Sequence, residues 1–252
     1  MADEPARRPE LPVVVGRMWG REPTSRRGPK PSLDLARITA AATEIADAEG
    51  LGAVSMNNVA TRLGVAPMSL YRYVGSKDDL LLAMLDAASG EPPDPGGPYR
   101  DYLHRWTRAN AEVMLARPWL LQIAPSGPPM GPRGLRWLDR LLRALADTPL
   151  DHGEKIGIAT TLSGYALNQA SLMLSLAPQA PHGALPESSH QYGEILGLLV
   201  DDETYPELSA AVRAGAFDSD DQAWYEDSDF RFGLDLLLDG IDALIARRSR
   251  AG

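Results

Sequence analysis

The sequence predicts an all-α protein, a small N-terminal three-helix unit followed by a larger helical domain. Three observations predict it. Apolar residues recur at helical spacing from residue 33 almost to the C-terminus; no stretch alternates apolar and polar residues over a useful strand length; and "GEPPDPGGP", residues 90–98, separates two blocks of helical pattern as a linker would.

The elements follow in chain order. Residues 1–31 hold six prolines and no helical or strand period, which predicts a disordered arm. Within it, "RMWGREPTSRRGPK" carries five basic residues against one acid. "SLDLARITAAATEIADAEG" then offers Ser32 as N-cap, Leu35, Ile38, Ala42 and Ile45 at helical spacing, and Gly50 as a stop. Ser55 caps "SMNNVATRL", where Val59 and Leu63 share a face, and Gly64-Val65-Ala66 turns the chain into Pro67 at the first position of a further helix ending at Val74. Gly75 breaks the chain, and Ser76 with Asp79 makes a capping box opening "KDDLLLAMLDAAS". After the linker, helices are predicted over 99–116, briefly after Pro118, and over 132–146, 153–176, 188–200, 205–214 and 228–248. The Pro/Gly/Asp-rich stretches 177–187 and 217–227 read as loops. The domain organisation predicted is thus an arm at 1–31, a first domain at 32–89 and a second at 98–252.

Composition bounds the function. The chain has 252 residues, 44% hydrophobic and 23% charged, with no cysteine, so disulfides, thiolate nucleophiles and zinc–thiolate sites are excluded together. No run of eighteen apolar residues and no leader pattern is present, which predicts a cytoplasmic protein. The net charge of −9 is unevenly spread: residues 1–77 carry eleven Lys/Arg against eight Asp/Glu, whereas residues 78–252 carry fourteen against twenty-six. A basic module is joined to an acidic one.

The basic module contains "RLGVAPMSLYRYVGSKDDLL" (62–81), two short helices joined by a three-residue turn, the sequence form of a helix-turn-helix. Its second helix holds Leu70 and Val74 inward and presents Pro67, Met68, Ser69 and Arg72 outward, an arrangement suited to entering the major groove of double-stranded DNA. Arg72 can give two hydrogen bonds to a guanine, Met68 and Pro67 can touch thymine methyls, and Tyr71, Tyr73 and Lys77 flank that face at phosphate distance. Arg26, Arg27 and Lys30 in the arm add a possible backbone or minor-groove contact.

Residues 33–80 closely resemble the DNA-binding module of TetR-family (tetracycline-repressor-like) transcriptional regulators. The resemblance lies in the helix ending Glu-Gly-Leu, the Ser-capped helix with Val59-Ala60, the "LGV" turn, "LYRYV" and "SKDDLL". It implies that Ser55, Ser69, Tyr71, Tyr73 and Lys77 reach the DNA backbone and that Pro67, Met68 and Arg72 face bases. Asn57 and Asn58 stand where many members carry Arg followed by an acid, so an amide to adenine replaces that contact at Asn57. The resemblance further implies a repressor that binds a palindromic operator as a homodimer, with a C-terminal half that encloses a small hydrophobic effector and dimerises.

In that half, Trp106, Trp119, Trp137, Tyr165, Asn168 and Gln169 are the candidate effector-binding residues, aromatic walls with two amides. Helix 153–176 carries small residues on most turns, and 230–248 carries Leu234, Leu237, Leu238, Ile241, Leu244 and Ile245 on one stripe. These two helices are the candidates for a four-helix dimer bundle. No nucleotide-binding, nucleophile-elbow or His-Glu-x-x-His string occurs, and His104, His152, His182 and His190 have no ligand-like spacing, so neither enzyme, cofactor nor metal is predicted. The alternative is a helical small-molecule-binding or catalytic protein whose N-terminal helices are merely structural.

Overall fold

The computed structural model describes residues 11–21, 33–123, 127–175, 189–217 and 228–251, and within them it is helical with no strand. Eleven helices occur among the described residues: α1 (Val13–Met18), α2 (Leu35–Glu49), α3 (Met56–Leu63), α4 (Pro67–Leu70), α5 (Lys77–Ala88), α6 (Tyr99–Ala116), α7 (Pro132–Ala144), α8 (His152–Ser175), α9 (Ser189–Leu199), α10 (Pro206–Arg213) and α11 (Ser228–Ala251). Short 3₁₀ turns at Leu51–Ala53 and Pro118–Gln122 complete them.

The chain divides into two compact units, one of Met1–Pro92 with Ala116–Arg140, the other of Pro93–Leu115 with Leu141–Gly252. The division is not one cut near residue 90. Residues 116–140, assigned above to the second domain, belong to the first unit. There Trp119 Nε1 donates to Asp47 Oδ1 of α2 at 2.7 Å and Trp137 Nε1 donates to the Ser89 carbonyl at 3.0 Å.

The first unit also corrects the expectation for residues 1–31. Residues 13–18 of the expected disordered arm form α1, with Val14 and Val15 at 0% and 2% exposure and α1 packed on α5. The burial of two valines stabilises a helix too short to persist alone. α2 begins at Asp34, whose side chain accepts from the Arg37 N–H at 2.8 Å, so Asp34 is the cap rather than Ser32. Ile38, Ala42 and Ile45 of α2, Val59 of α3, Leu70, Val74, and Leu80 and Met84 of α5 form the core of this unit.

The second unit is built on the long helices. α6 is fastened to α11 by Arg100, which pairs with Asp242, with Asp239 at 2.8 Å and with Asp235 at 3.4 Å, while the Tyr99 hydroxyl donates to Asp242 at 2.7 Å. α8 opens on a reciprocal cap: Asp151 Oδ1 accepts from the Glu154 N–H at 2.8 Å and Glu154 Oε2 accepts from the Asp151 N–H at 2.9 Å. Tyr102, Leu103, Trp106, Leu162, Leu234 and Leu238 lie in its core.

α11 departs from expectation in which face is covered. Leu234, Leu238 and Ile241 are buried within this single chain at 0%, 1% and 8% exposure, while Leu237, Leu244 and Ile245 are half-buried, so half of the predicted dimer stripe serves the unit's own core. The outward residues are instead Phe232 and Leu236, 69% and 59% exposed, with Gly240 and Ala243.

Candidate nucleic-acid interface

The helix-turn-helix forms from local chemistry. Ser55 Oγ accepts from the Asn58 N–H at 3.1 Å and starts α3; Gly64 ends it in the left-handed region at φ +67°, where a side chain would be strained, with the Val65 N–H bonded back to the Ala60 carbonyl at 3.0 Å. Pro67 then supplies the first residue of α4, where its missing N–H costs nothing. α4 is one α-helical turn, prolonged by hydrogen bonds from the Tyr73 and Val74 N–H groups to the Leu70 carbonyl at 2.7 and 3.0 Å.

This short segment has two faces. Leu70 and Val74 have no exposed surface, whereas Pro67, Met68, Tyr71 and Arg72 are exposed, Met68 at 74%. A 74% exposed methionine beside two fully buried aliphatics is not how a helix shaped only for packing disposes its side chains. Ser69 and Tyr73 are half-buried at the margins. Lys77, the first residue of α5, is exposed next to them; Ser76 Oγ accepts from the Asp79 N–H at 3.1 Å, and the Asp79 carboxylate reaches back to the Gly75 N–H at 2.9 Å. That cap fixes where Lys77 leaves the helix.

On α3, Asn57 and Asn58 are both exposed, with the Asn58 Nδ2 donating to the Ala53 carbonyl at 2.7 Å. That bond engages the Asn58 amide and keeps Asn57 as the candidate for a base edge. Ser55, half-buried, has its oxygen engaged as the cap and keeps its hydroxyl proton to donate. Arg26, Arg27 and Lys30 lie outside the described residues. A contact that the sequence did not reveal joins α1 to this site: Arg17 places its guanidinium carbon 5.2 Å from the centroid of the Tyr73 ring.

The effector candidates fall into separate sets. Trp119 and Trp137, 5% and 6% exposed, belong to the first unit with their indole N–H groups committed as described. Trp106, Tyr165, Asn168 and Gln169 belong to the second. Trp106 is 2% exposed; the Tyr165 hydroxyl donates to the Phe230 carbonyl at 2.7 Å with the two rings 5.4 Å apart; Gln169 is half-buried; and Asn168 sits on the outward face of α8, one turn from Gly164. An open pocket of about 710 Å³ lies in the first unit, where all four carboxylates facing it are engaged. Glu44 pairs with Arg62, Asp47 with Arg117 and Trp119, Asp86 with two amides of α7, and Glu91 with Arg136. Among the described residues no group of three or more His, Cys, Asp or Glu could hold a metal ion, and no helix is long and apolar enough to cross a membrane.

Both stretches of the chain match models of one family. Residues 38–84 match the tetR family of bacterial regulatory proteins, and residues 91–245 match the tetracyclin repressor-like C-terminal domain. The chain is 34% identical over 239 residues to the HTH-type transcriptional repressor DrrR1 of Streptomyces coeruleorubidus, covering 92% of this chain and 85% of that one. It is 31% identical over 159 residues to an HTH-type transcriptional regulator of Saccharopolyspora erythraea, covering 62% and 67%. Among solved structures, Streptomyces coelicolor ActR in complex with actinorhodin superposes with a TM-score of 0.71 at 27% identity, covering 84% of this chain and 98% of ActR.

Proposed function

This chain belongs to the TetR family of bacterial transcriptional regulators, and we propose that it is a cytoplasmic repressor that binds a palindromic operator as a homodimer and leaves it when a hydrophobic small molecule binds. The observation that carries the DNA-binding reading is the division of the segment 67–74 into buried Leu70 and Val74 and exposed Pro67, Met68, Tyr71 and Arg72. In the groove, Arg72, Met68, Pro67 and Asn57 read base edges, while Ser55, Ser69, Tyr71, Tyr73 and Lys77 hold the phosphates. Arg26, Arg27 and Lys30 extend that backbone contact.

Dimerisation is supported by the exposed faces of α8 and α11. On α8 the outward residues Gly157, Gly164 and Asn168 alternate with Thr160, Thr161 and Leu172, and a Cβ added at Gly157, Gly164 or Gly240 would meet nothing within 4 Å. Small residues on exposed helices permit close helix approach, and Phe232 and Leu236 supply the apolar area. Two recognition helices related by a two-fold axis read half-sites one DNA turn apart.

The effector reading is supported by the similarity to ActR, whose structure holds actinorhodin. Trp106, Tyr165 and Gln169 of the second unit are the residues proposed to face the effector, with Asn168 nearer the dimer face. Binding regulates only through its difference in affinity between the operator-competent and released conformations. No part of this reading requires catalysis or a cofactor.

The test is fluorescence anisotropy with a duplex taken from the intergenic DNA beside the gene. Binding at nanomolar concentration in moderate salt, lost on adding a hydrophobic aromatic molecule, supports the reading. Weak, salt-sensitive association with every duplex alike overturns it in favour of a helical small-molecule-binding protein.

A further inference from the structure

We propose that Arg17 is a positioning residue for DNA binding, holding the Tyr73 ring in the rotamer from which its hydroxyl meets a phosphate, and that α1 is therefore a working part of the reading head. The proposal rests on the DNA-binding reading above. It starts from α1, which that reading does not use.

α1 is anchored at three places. Val14 and Val15 are buried, and the helix packs on α5. The Trp19 indole N–H donates to the Met130 carbonyl at 2.9 Å, across 111 residues of sequence. Met18 lies so close to the next residue that a Cβ on Gly131 would come within 2.4 Å of its Cε. A six-residue helix held this way is a fixed base for the side chain it carries.

That side chain is Arg17, with its guanidinium carbon 5.2 Å from the Tyr73 ring centroid. Tyr73 lies between exposed Arg72 and fully buried Val74, and its N–H donates to the Leu70 carbonyl at 2.7 Å, so its backbone is fixed while its ring is only half-buried. A cation over the ring face favours one orientation and leaves the ring edge, with the hydroxyl, uncovered. Ordering the ring before DNA arrives removes part of the entropy cost of the phosphate contact. Arginine suits the position because its planar guanidinium stacks on an aromatic face over a wider area than an ammonium.

The experiment is operator titration by anisotropy with the full chain, comparing the unaltered protein with Arg17→Ala, Arg17→Lys, Tyr73→Phe and the double variant Arg17→Ala/Tyr73→Phe, with thermal melts of each. The expected result is a loss of about three- to tenfold for Arg17→Ala, of the same factor on operators with altered bases. Arg17→Lys recovers part of it, Tyr73→Phe loses a similar factor, and the double variant is no worse than Tyr73→Phe alone. A merely structural role moves the melting temperature without this non-additivity. Losses that multiply, with a shallower dependence on salt for Arg17→Ala, mean that Arg17 touches phosphate itself and overturn the proposal. It is equally overturned if Arg17→Ala or Tyr73→Phe binds like the unaltered protein. Failure of the unaltered protein to bind any duplex overturns the DNA-binding reading and this proposal together.

Discussion

Asp86 of α5 caps α7: its Oδ1 accepts from the backbone N–H groups of Arg133 and Gly134 at 3.0 and 2.9 Å. The helix that follows the reading segment is thereby locked to the start of a helix nearly fifty residues away. Asp86 is 8% exposed, and an added Cβ at Gly131 would fall 2.2 Å from its Cγ, so the cap sits close against the backbone that leads into α7. Replacing it leaves two helix-terminal donors unsatisfied.

Asp86→Ala is expected to lower stability by about 1–3 kcal/mol, the range for losing a helix cap made of charge-assisted hydrogen bonds. Asp86→Asn, which keeps one acceptor oxygen, should recover part of that. Gly131→Ala should be destabilising too, through steric displacement of the cap. Urea unfolding monitored by tryptophan fluorescence measures all three, and an Asp86→Ala midpoint equal to that of the unaltered protein rejects the cap as a stabilising contact.

Much of this was legible in sequence, for reasons visible in particular residues. α6 was delimited at Tyr99 and Ala116 because an apolar period runs uninterrupted between Pro98 and Pro118. The turn between α3 and α4 was legible because Gly64 and Pro67 restrict the backbone locally. α1 was missed because six residues are under two turns, too few for a period, and its stability comes from Met130 and α5, far along the chain. The tasks of Trp119 and Trp137 were hidden in the same way, since Asp47 and Ser89 are 72 and 48 residues distant. α11 shows a further limit: periodicity identifies an apolar stripe but not whether the same chain or another copy covers it.

Arg72 and Lys77 should separate reading from holding. Arg72→Ala is expected to cost about 1–3 kcal/mol of operator affinity and to relax discrimination at one base position. Lys77→Ala should weaken every duplex by a similar factor and reduce the slope of log K on log salt by about 1. Titrations at several salt concentrations on the selected operator and single-base variants resolve the two. Identical profiles for both substitutions would show that Arg72 reads no base.

Acid should loosen the link between α8 and α11. Glu154 is held below its ordinary value first by the hydrogen bond from Arg248 and then by the Asp151 N–H. Because the folded-state value is the lower one, the stabilisation is fully present above about pH 4.5 and is lost as pH falls below it through the lowered value. Arg248→Gln should therefore be less stable than the unaltered protein at neutral pH, with the difference shrinking below pH 4.5. The pair is exposed on the arginine side, so high salt should also diminish the difference. Chemical denaturation across pH 3–7 measures it, and a difference that grows on acidification contradicts the assigned sign.

The outward faces of α8 and α11 make the last prediction. Phe232 and Leu236 are 69% and 59% exposed in a single chain, and Gly164 opposite to no neighbour would admit a Cβ freely. Leu236→Glu introduces charge into the proposed interface without touching buried Leu234 or Leu238, so the monomer's own core is spared. Sedimentation should show a dimer for the unaltered protein and a monomer for Leu236→Glu with unchanged helicity. Operator affinity should fall at least tenfold, because one reading head engages only one half-site. Gly164→Leu should act in the same direction by holding the helices apart. A Leu236→Glu protein that remains dimeric and binds operator normally would place the dimer contact elsewhere on the second unit.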